Sequence, residues 1–199
     1  GSGHFVKALQ KKGFNAIGVE SNLDMIEFGQ QNLKKNSLTH SPSYEKGLQI
    51  IKNSDCNILS LISVLEHLKE PNKIFESFKV SKSKYLFISI PLFNFSVFVE
   101  NIFQNVYPRH SAITHPHIYT YKSIKYILKK HNLKISGEWW FGTEMSDLNK
   151  SFLISFSKNK SKIFLEKFNS IFTKHLNDLQ KSLDLKKMSS EVHLIIEKK

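Results

Sequence analysis

An α/β fold built on a mostly parallel sheet is what the sequence predicts, and three observations carry it. Short apolar runs at 16–20, 57–62 and 85–90 are separated by segments of helical spacing, and strands alternating with helices at this pace build βαβ units. The closing run, 191–197, sets Val192, Leu194 and Ile196 against Glu191, His193 and Glu197, an alternation that suits an antiparallel edge strand. No internal repeat or low-complexity linker interrupts the chain, so residues 1–199 read as one domain with a helical insertion at about 144–186, before the last strand.

The elements follow in order. Phe5 and Leu9 sit at helical spacing and Gly13 stops that helix. The run 16–20 ends in Glu20 and reads as a buried parallel strand. Ser21 and Asp24 form an S-x-x-D capping signature ahead of Leu23, Met25, Ile26 and Phe28. The stretch 36–46 is polar and matches no template. A strand at 57–62 runs directly into Val64-Leu65-Glu66-His67, and Pro71 opens a helix through Ile74, Phe75 and Phe78. Pro91 stops the strand 85–90. Beyond it lie a helix at 95–106, a loop at 109–121 rich in histidine and proline, a helix through Ile124 and Leu128, and a strand at 133–140. A long amphipathic pattern covers 158–183.

Charge narrows the function classes. The net charge of +12 raises nucleic acid as a partner, but of 29 basic residues only Arg109 is arginine, and base-edge and phosphate recognition favours the planar guanidinium. Nucleic acid is therefore disfavoured. The single cysteine, Cys56, excludes an internal disulfide framework and a cysteine-built zinc site, and a small buried thiol is expected there. The longest apolar stretch, 85–99, is interrupted by Pro91 and Asn94 and falls short of the roughly 20 residues that a membrane helix needs. No signal peptide is visible, so a cytoplasmic protein without membrane insertion is expected.

The candidate chemistry begins with Gly1 and Gly3 running straight into a helix, followed by Glu20 at a strand end. Glycines let a ligand approach the backbone, a helix N-terminus offers unpaired N–H groups, and a carboxylate about 20 residues on can accept from both ribose hydroxyls. The same pair serves nicotinamide cofactors, so a dehydrogenase is one reading. His67, His115 and His117 are candidate proton acceptors. Glu66 and His67 are of metal-ligating type, but helix neighbours point apart, so no metal is expected.

Gly1-Ser2-Gly3-His4-Phe5, Gly18-Val19-Glu20-Ser21 and the segment from Asn57 through Leu65-Glu66-His67-Leu68 together resemble the class I S-adenosylmethionine-dependent methyltransferases. The likeness is to the subgroup with a Leu-Glu-His segment after the fourth strand. His115-Pro116-His117-Ile118-Tyr119-Thr120-Tyr121-Lys122-Ser123 is similar to that subgroup's H-x-H-x-x-T-x-x-S segment. The resemblance implies a Rossmann-like sheet of seven strands, the last antiparallel, with S-adenosylmethionine across the strand C-termini. The family's first strand has no counterpart ahead of Gly1, so the chain is expected to lack it.

By that likeness Gly1 and Gly3 border the amino-acid part of the cofactor, and Glu20 holds the ribose. Ser21 and Met25 flank the ribose or adenine, and Ser60 and Ser63 pass the methionine moiety. Glu45 is the nearest stand-in for the family's adenine-contacting acid. The implied activity is O- or N-methylation of a small-molecule or glycan acceptor. Trp139-Trp140-Phe141-Gly142 either walls the acceptor pocket or forms core or a homodimer contact. The rival readings are a tRNA or rRNA methyltransferase, a dehydrogenase, and a non-catalytic methyltransferase-like binding module.

Overall fold

The computed structural model describes residues 1–34, 36–103, 110, 114–157 and 161–199. They form two compact units: 1–55 with 80–82, and 56–79 with 83–199.

The first unit runs α1 (His4–Lys11), β1 (Gly18–Glu20), α2 (Leu23–Gln30), β2 (Leu38–His40) and α3 (Tyr44–Lys52). β1 and β2 pair in parallel, Gly18 opposite Leu38 and Glu20 opposite His40. Val6, Ile26 and Leu38 form the core, with Ala16 and Leu33 against it. The run expected as a buried strand is parallel but only half-covered, for Val19 is exposed. The cap of α2 also differs from expectation. Ser21 is engaged by the Glu20 carboxylate, and Asn22 instead accepts from the Met25 amide at 3.2 Å. The polar stretch 36–46 contains β2 and the start of α3, which Ser43 caps by accepting from the Lys46 amide.

The second unit begins with β3 (Ile58–Ile62), a 3-10 turn (Leu65–His67), α4 (Asn72–Val80), β4 (Tyr85–Pro91), α5 (Phe95–Ile102), α6 (Tyr121–Lys130) and β5 (Leu133–Phe141). It continues through α7 (Glu144–Ser157), α8 (Lys162–Phe172), a 3-10 turn (Thr173–His175), α9 (Leu176–Leu185) and β6 (Glu191–Lys198). The sheet order is β3-β4-β6-β5, with β3 and β4 parallel and β6 antiparallel to both neighbours. β6 is therefore interior, not the edge strand expected. Its alternation has another cause: Val192, Leu194 and Ile196 are fully buried on one face, whereas Ile195 on the other is 42% exposed. Phe75 and Phe78 of α4 and Ile124 of α6 are fully buried with Leu86, Ile88 and Ile90 of β4. Each such side chain contributes about 1.5–3 kcal/mol of transfer free energy.

Among the described residues the strands form two sheets, of two and four, rather than one sheet of seven. The physical reason is pairing: among the described residues β1 bonds to β2 alone, and β3 to β4 alone.

The segment expected as a helical insertion holds α7, α8 and α9. Phe152, Phe156, Phe168 and Phe172 stack and meet edge-on at ring separations of 5.3–6.1 Å. The amphipathic pattern 158–183 is broken by the 3-10 turn, and 158–160 lie outside the described residues. The wholly buried Glu144 ties α7 to α9 and to the residues flanking the sheet, accepting from the Ser190 amide, the Gln180 amide side chain and the Ser96 hydroxyl. Cys56 is exposed rather than buried, because it precedes β3 and only its Sγ turns back to the Ile58 carbonyl.

Candidate functional site

In the first unit the parallel pairing of β1 delivers Glu20 to a strand C-terminus, where the chain turns sharply into α2. One carboxylate oxygen, Oε1, accepts from the backbone amides of Ser21 and Asn22 at 2.7 and 2.9 Å, and from the Ser21 hydroxyl at 3.2 Å. The other oxygen, Oε2, faces the Gly1 ammonium. Burial pushes that ammonium below its usual pKa. Gly1, Glu20 and Ser21 are thus brought together. Gly3 has φ 78°, a left-handed conformation, and a Cβ there would meet Leu33 at 2.5 Å, so its glycine also serves packing. The Met25 side chain is exposed on α2, and Glu45 is exposed in the first turn of α3. A cavity against α1 and α2 is lined by Gly3, His4, Phe28 and Gly29 but not by Glu20.

In the second unit the C-terminal end of β3 carries the remaining residues. Ser60 and Ser63 are both exposed. Ser63 holds φ 51°, the left-handed region that side chains rarely adopt, while its amide bonds to the Ser89 carbonyl at 3.0 Å. That bend swings the chain from β3 into the 3-10 turn, which buries Glu66 and leaves His67 exposed.

The segment 114–119 then closes over the turn. Leu92 bridges Tyr119 in parallel, the Phe93 amide donates to the Tyr119 carbonyl at 2.6 Å, and the Tyr119 hydroxyl donates to the Leu65 carbonyl at 3.2 Å. His67 places Nδ1 at 2.9 Å from the Thr114 carbonyl, and its ring meets His115 edge-on at 4.7 Å. His115 places Nδ1 at 3.0 Å from the His110 carbonyl. His110 is itself held by Glu100, which accepts from its amide and its Nδ1. His117 departs from the group, its Nε2 lying 3.3 Å from the Lys69 carbonyl. Two of the three predicted histidines therefore converge. Arg109, residues 111–113 of the predicted loop and residues 104–106 of the predicted helix lie outside the described residues.

Glu66 is the residue that sequence reasoning left without a role, although the Leu-Glu-His segment contained it. It is 1% exposed, and its Oε2 has no hydrogen-bond partner among the described residues. Burial pushes its carboxyl above the usual range, with Glu191 adding to the effect; its own backbone amide and the nearby His67 and His115 oppose it. Trp139 and Trp140 point to opposite faces of β5, the first 69% exposed and the second buried against Tyr121. They do not form one wall. On the same strand Glu138 pairs with Lys187 and the Tyr121 hydroxyl. Burial and that carboxylate push the Tyr121 phenol up to about 12.

The first unit thus ends β1 in a carboxylate held by backbone amides, and the second ends β3 in a left-handed bend. A family described as the methyltransferase domain matches residues 1–136, and the chain belongs to it. Three solved structures are similar in fold. A SAM-dependent methyltransferase from Archaeoglobus fulgidus has a TM-score of 0.60 at 19% identity, over 100% of this chain and 82% of that one. Magnesium protoporphyrin IX methyltransferase from Synechocystis PCC 6803, with bound SAH, has a TM-score of 0.60 at 12% identity, over 100% and 71%. The small RNA methyltransferase HEN1 has a TM-score of 0.56 at 12% identity, over 100% of this chain and 22% of that one. No curated protein matches the chain. Among the described residues no helix is long and apolar enough to cross a membrane.

Proposed function

We propose that the chain binds S-adenosylmethionine and transfers its methyl group to an oxygen or nitrogen of a small-molecule or glycan acceptor. The observation that supports this most is Glu20: a carboxylate held at a strand end by two backbone amides, in a member of the methyltransferase-domain family. The residues fit the group. With Oε1 already fixed, Oε2 is oriented toward a donor, a place the Gly1 ammonium now takes, and a ribose diol supplies such donors. The cofactor supplies a sulfonium methyl already activated for transfer.

In this reading Glu20 anchors the ribose, Gly1 and Gly3 leave room beside the amino-acid part, and Ser21 and Met25 flank the nucleoside. Ser60 and Ser63 line the methionine side. Holding the acceptor in line with the S–CH₃ bond supplies much of the acceleration. A hydroxyl or amine acceptor must also lose a proton, and His67, His115 and His117 are the candidate proton acceptors at that end of the sheet.

The net charge of +12 supports a second reading, an RNA acceptor. One assay separates them: radiolabelled methyl transfer from S-adenosylmethionine to pools of small metabolites, glycans and RNA. Label in the small-molecule or glycan pools is expected. Label in RNA alone favours the second reading, and label in none contradicts both.

A further inference from the structure

Glu66 poses a problem that the transfer chemistry leaves open. A fully buried carboxylate with an unpartnered oxygen is unstable as a bare anion, and among the described residues no lysine, arginine or hydroxyl serves that oxygen. Two imidazoles stand beside it, and their orientation is set from outside. A ring nitrogen facing a carbonyl must donate, so His67 and His115 each carry the proton on Nδ1, toward Thr114 and His110 respectively. In the neutral tautomers this leaves both Nε2 atoms with free lone pairs. Locking one ring nitrogen onto a backbone carbonyl is how proteins present the other to a metal. The Glu100 clamp on His110 stiffens this second layer, since Glu100 accepts from both the amide and the ring of the residue whose carbonyl orients His115.

One potential ligand atom from each of Glu66, His67 and His115 lies within 4.8 Å of the others. Bonds of about 2.0–2.2 Å around one tetrahedral centre put ligand atoms about 3.4 Å apart. The side chains must therefore draw in by about 1.5 Å at most, and His67 is exposed and His115 half-buried, so both rings have room to turn.

We propose that Glu66, His67 and His115 bind a divalent first-row transition-metal ion. Two imidazoles and one carboxylate suit zinc, manganese, iron or cobalt, and such a three-residue set leaves coordination positions open for water or an oxygen-bearing ligand. His117, turned to the Lys69 carbonyl, stands outside the set. The expectation that adjacent Glu66 and His67 point apart holds for an α-helix. It fails here because Leu65–His67 is a 3-10 turn and because the third ligand arrives from the 114–119 segment. The site stands on its own residues and does not depend on the methyl-transfer reading.

The test uses the ion alone. Protein stripped with a chelator is titrated with Co²⁺ and followed by visible absorption and calorimetry, with Zn²⁺ as competitor. One equivalent of Co²⁺ is expected, with the intense d–d bands of a four- or five-coordinate site, displaced by Zn²⁺. Glu66→Gln, His67→Ala and His115→Ala are each expected to weaken binding by about tenfold or more, the scale on which even outer-shell changes act. His175→Ala, on the insertion, is expected to leave it unchanged. Circular dichroism checks each fold, and His67→Ala decides the matter if the buried variant fails to fold, because that side chain is exposed. Binding well below one equivalent, or equal binding by wild type and the ligand variants, overturns the proposal. Because no S-adenosylmethionine is present, failure here is distinct from failure of the methyltransferase reading.

Discussion

Glu20 ends one parallel strand and Glu66 lies just beyond another, yet they are held in opposite ways. Glu20 is 16% exposed, and both its oxygens are engaged by nearby groups: the next two amides on one side and the Gly1 ammonium on the other. Glu66 is buried, with one oxygen unpartnered among the described residues, and its surroundings come from a segment about fifty residues on. The first arrangement stabilises a carboxylate cheaply through local backbone donors. The second works against folding stability and is of the kind retained at functional positions. The contrast teaches that one carboxylate is stabilised by its own chain neighbours and the other is not, which suits the ribose-anchoring role proposed for Glu20 and the cation-binding role proposed for Glu66.

The sharpest way to break this contrast is Glu20→Ala. Losing hydrogen bonds from ligand hydroxyls to a charged acceptor, at about 1.5–3 kcal/mol each, is expected to weaken S-adenosylmethionine binding about a hundredfold, as read by calorimetry. Unchanged affinity would remove Glu20 from the site. Next in size is Gly3→Ala, which strains a φ of 78° and drives a Cβ toward Leu33. Urea unfolding is expected to show a loss of about 1–2 kcal/mol; a neutral result would mean that the segment ahead of α1 relaxes freely.

Glu66→Gln is expected to act in the other direction. Because burial raises the folded carboxyl above its unfolded value, the folded state binds more protons between those two values. Its contribution is therefore most favourable below the unfolded pKa and is lost as pH rises through the folded one. At neutral pH and without metal, the amide is expected to raise the melting temperature by about 2–4 °C. It is also expected to flatten the decline in stability above the ordinary carboxyl range. A lower melting temperature with an unchanged pH profile would show that Glu66 is satisfied as an anion. The smallest effect expected is from Ser63→Gly, which relieves a left-handed φ of 51° and should stabilise by about 0.5–1 kcal/mol, less if the serine hydroxyl holds ligand.

Much of the first carboxylate's region was legible in the sequence because its determinants are local. The apolar run before Glu20 and the glycines ahead of α1 sit within one βα unit, and β3, β4 and α6 were marked in the same way by runs, Pro91 and helical spacing. What escaped was decided at a distance. The polar residues 36–46 reveal β2 only because Leu38 joins the core with Val6 and Ile26. Asn22 takes the cap because Glu20 has claimed Ser21. The alternation of 191–197 correctly marked an antiparallel strand, but one-sided burial reads alike at an edge and between two neighbours, so the interior place of β6 was hidden. Around Glu66, the motif showed the residue but not its burial, because the 114–119 segment and Tyr119 supply the surroundings.

The measurement that bears most directly on the central claim is a calorimetric titration of S-adenosylmethionine into the wild-type chain, with NADH as comparator. One site of micromolar affinity for S-adenosylmethionine, and no heat with NADH, is the expected result. Absence of S-adenosylmethionine binding by folded protein, or preference for NADH, would contradict the assignment of Glu20 to a methyl donor's ribose.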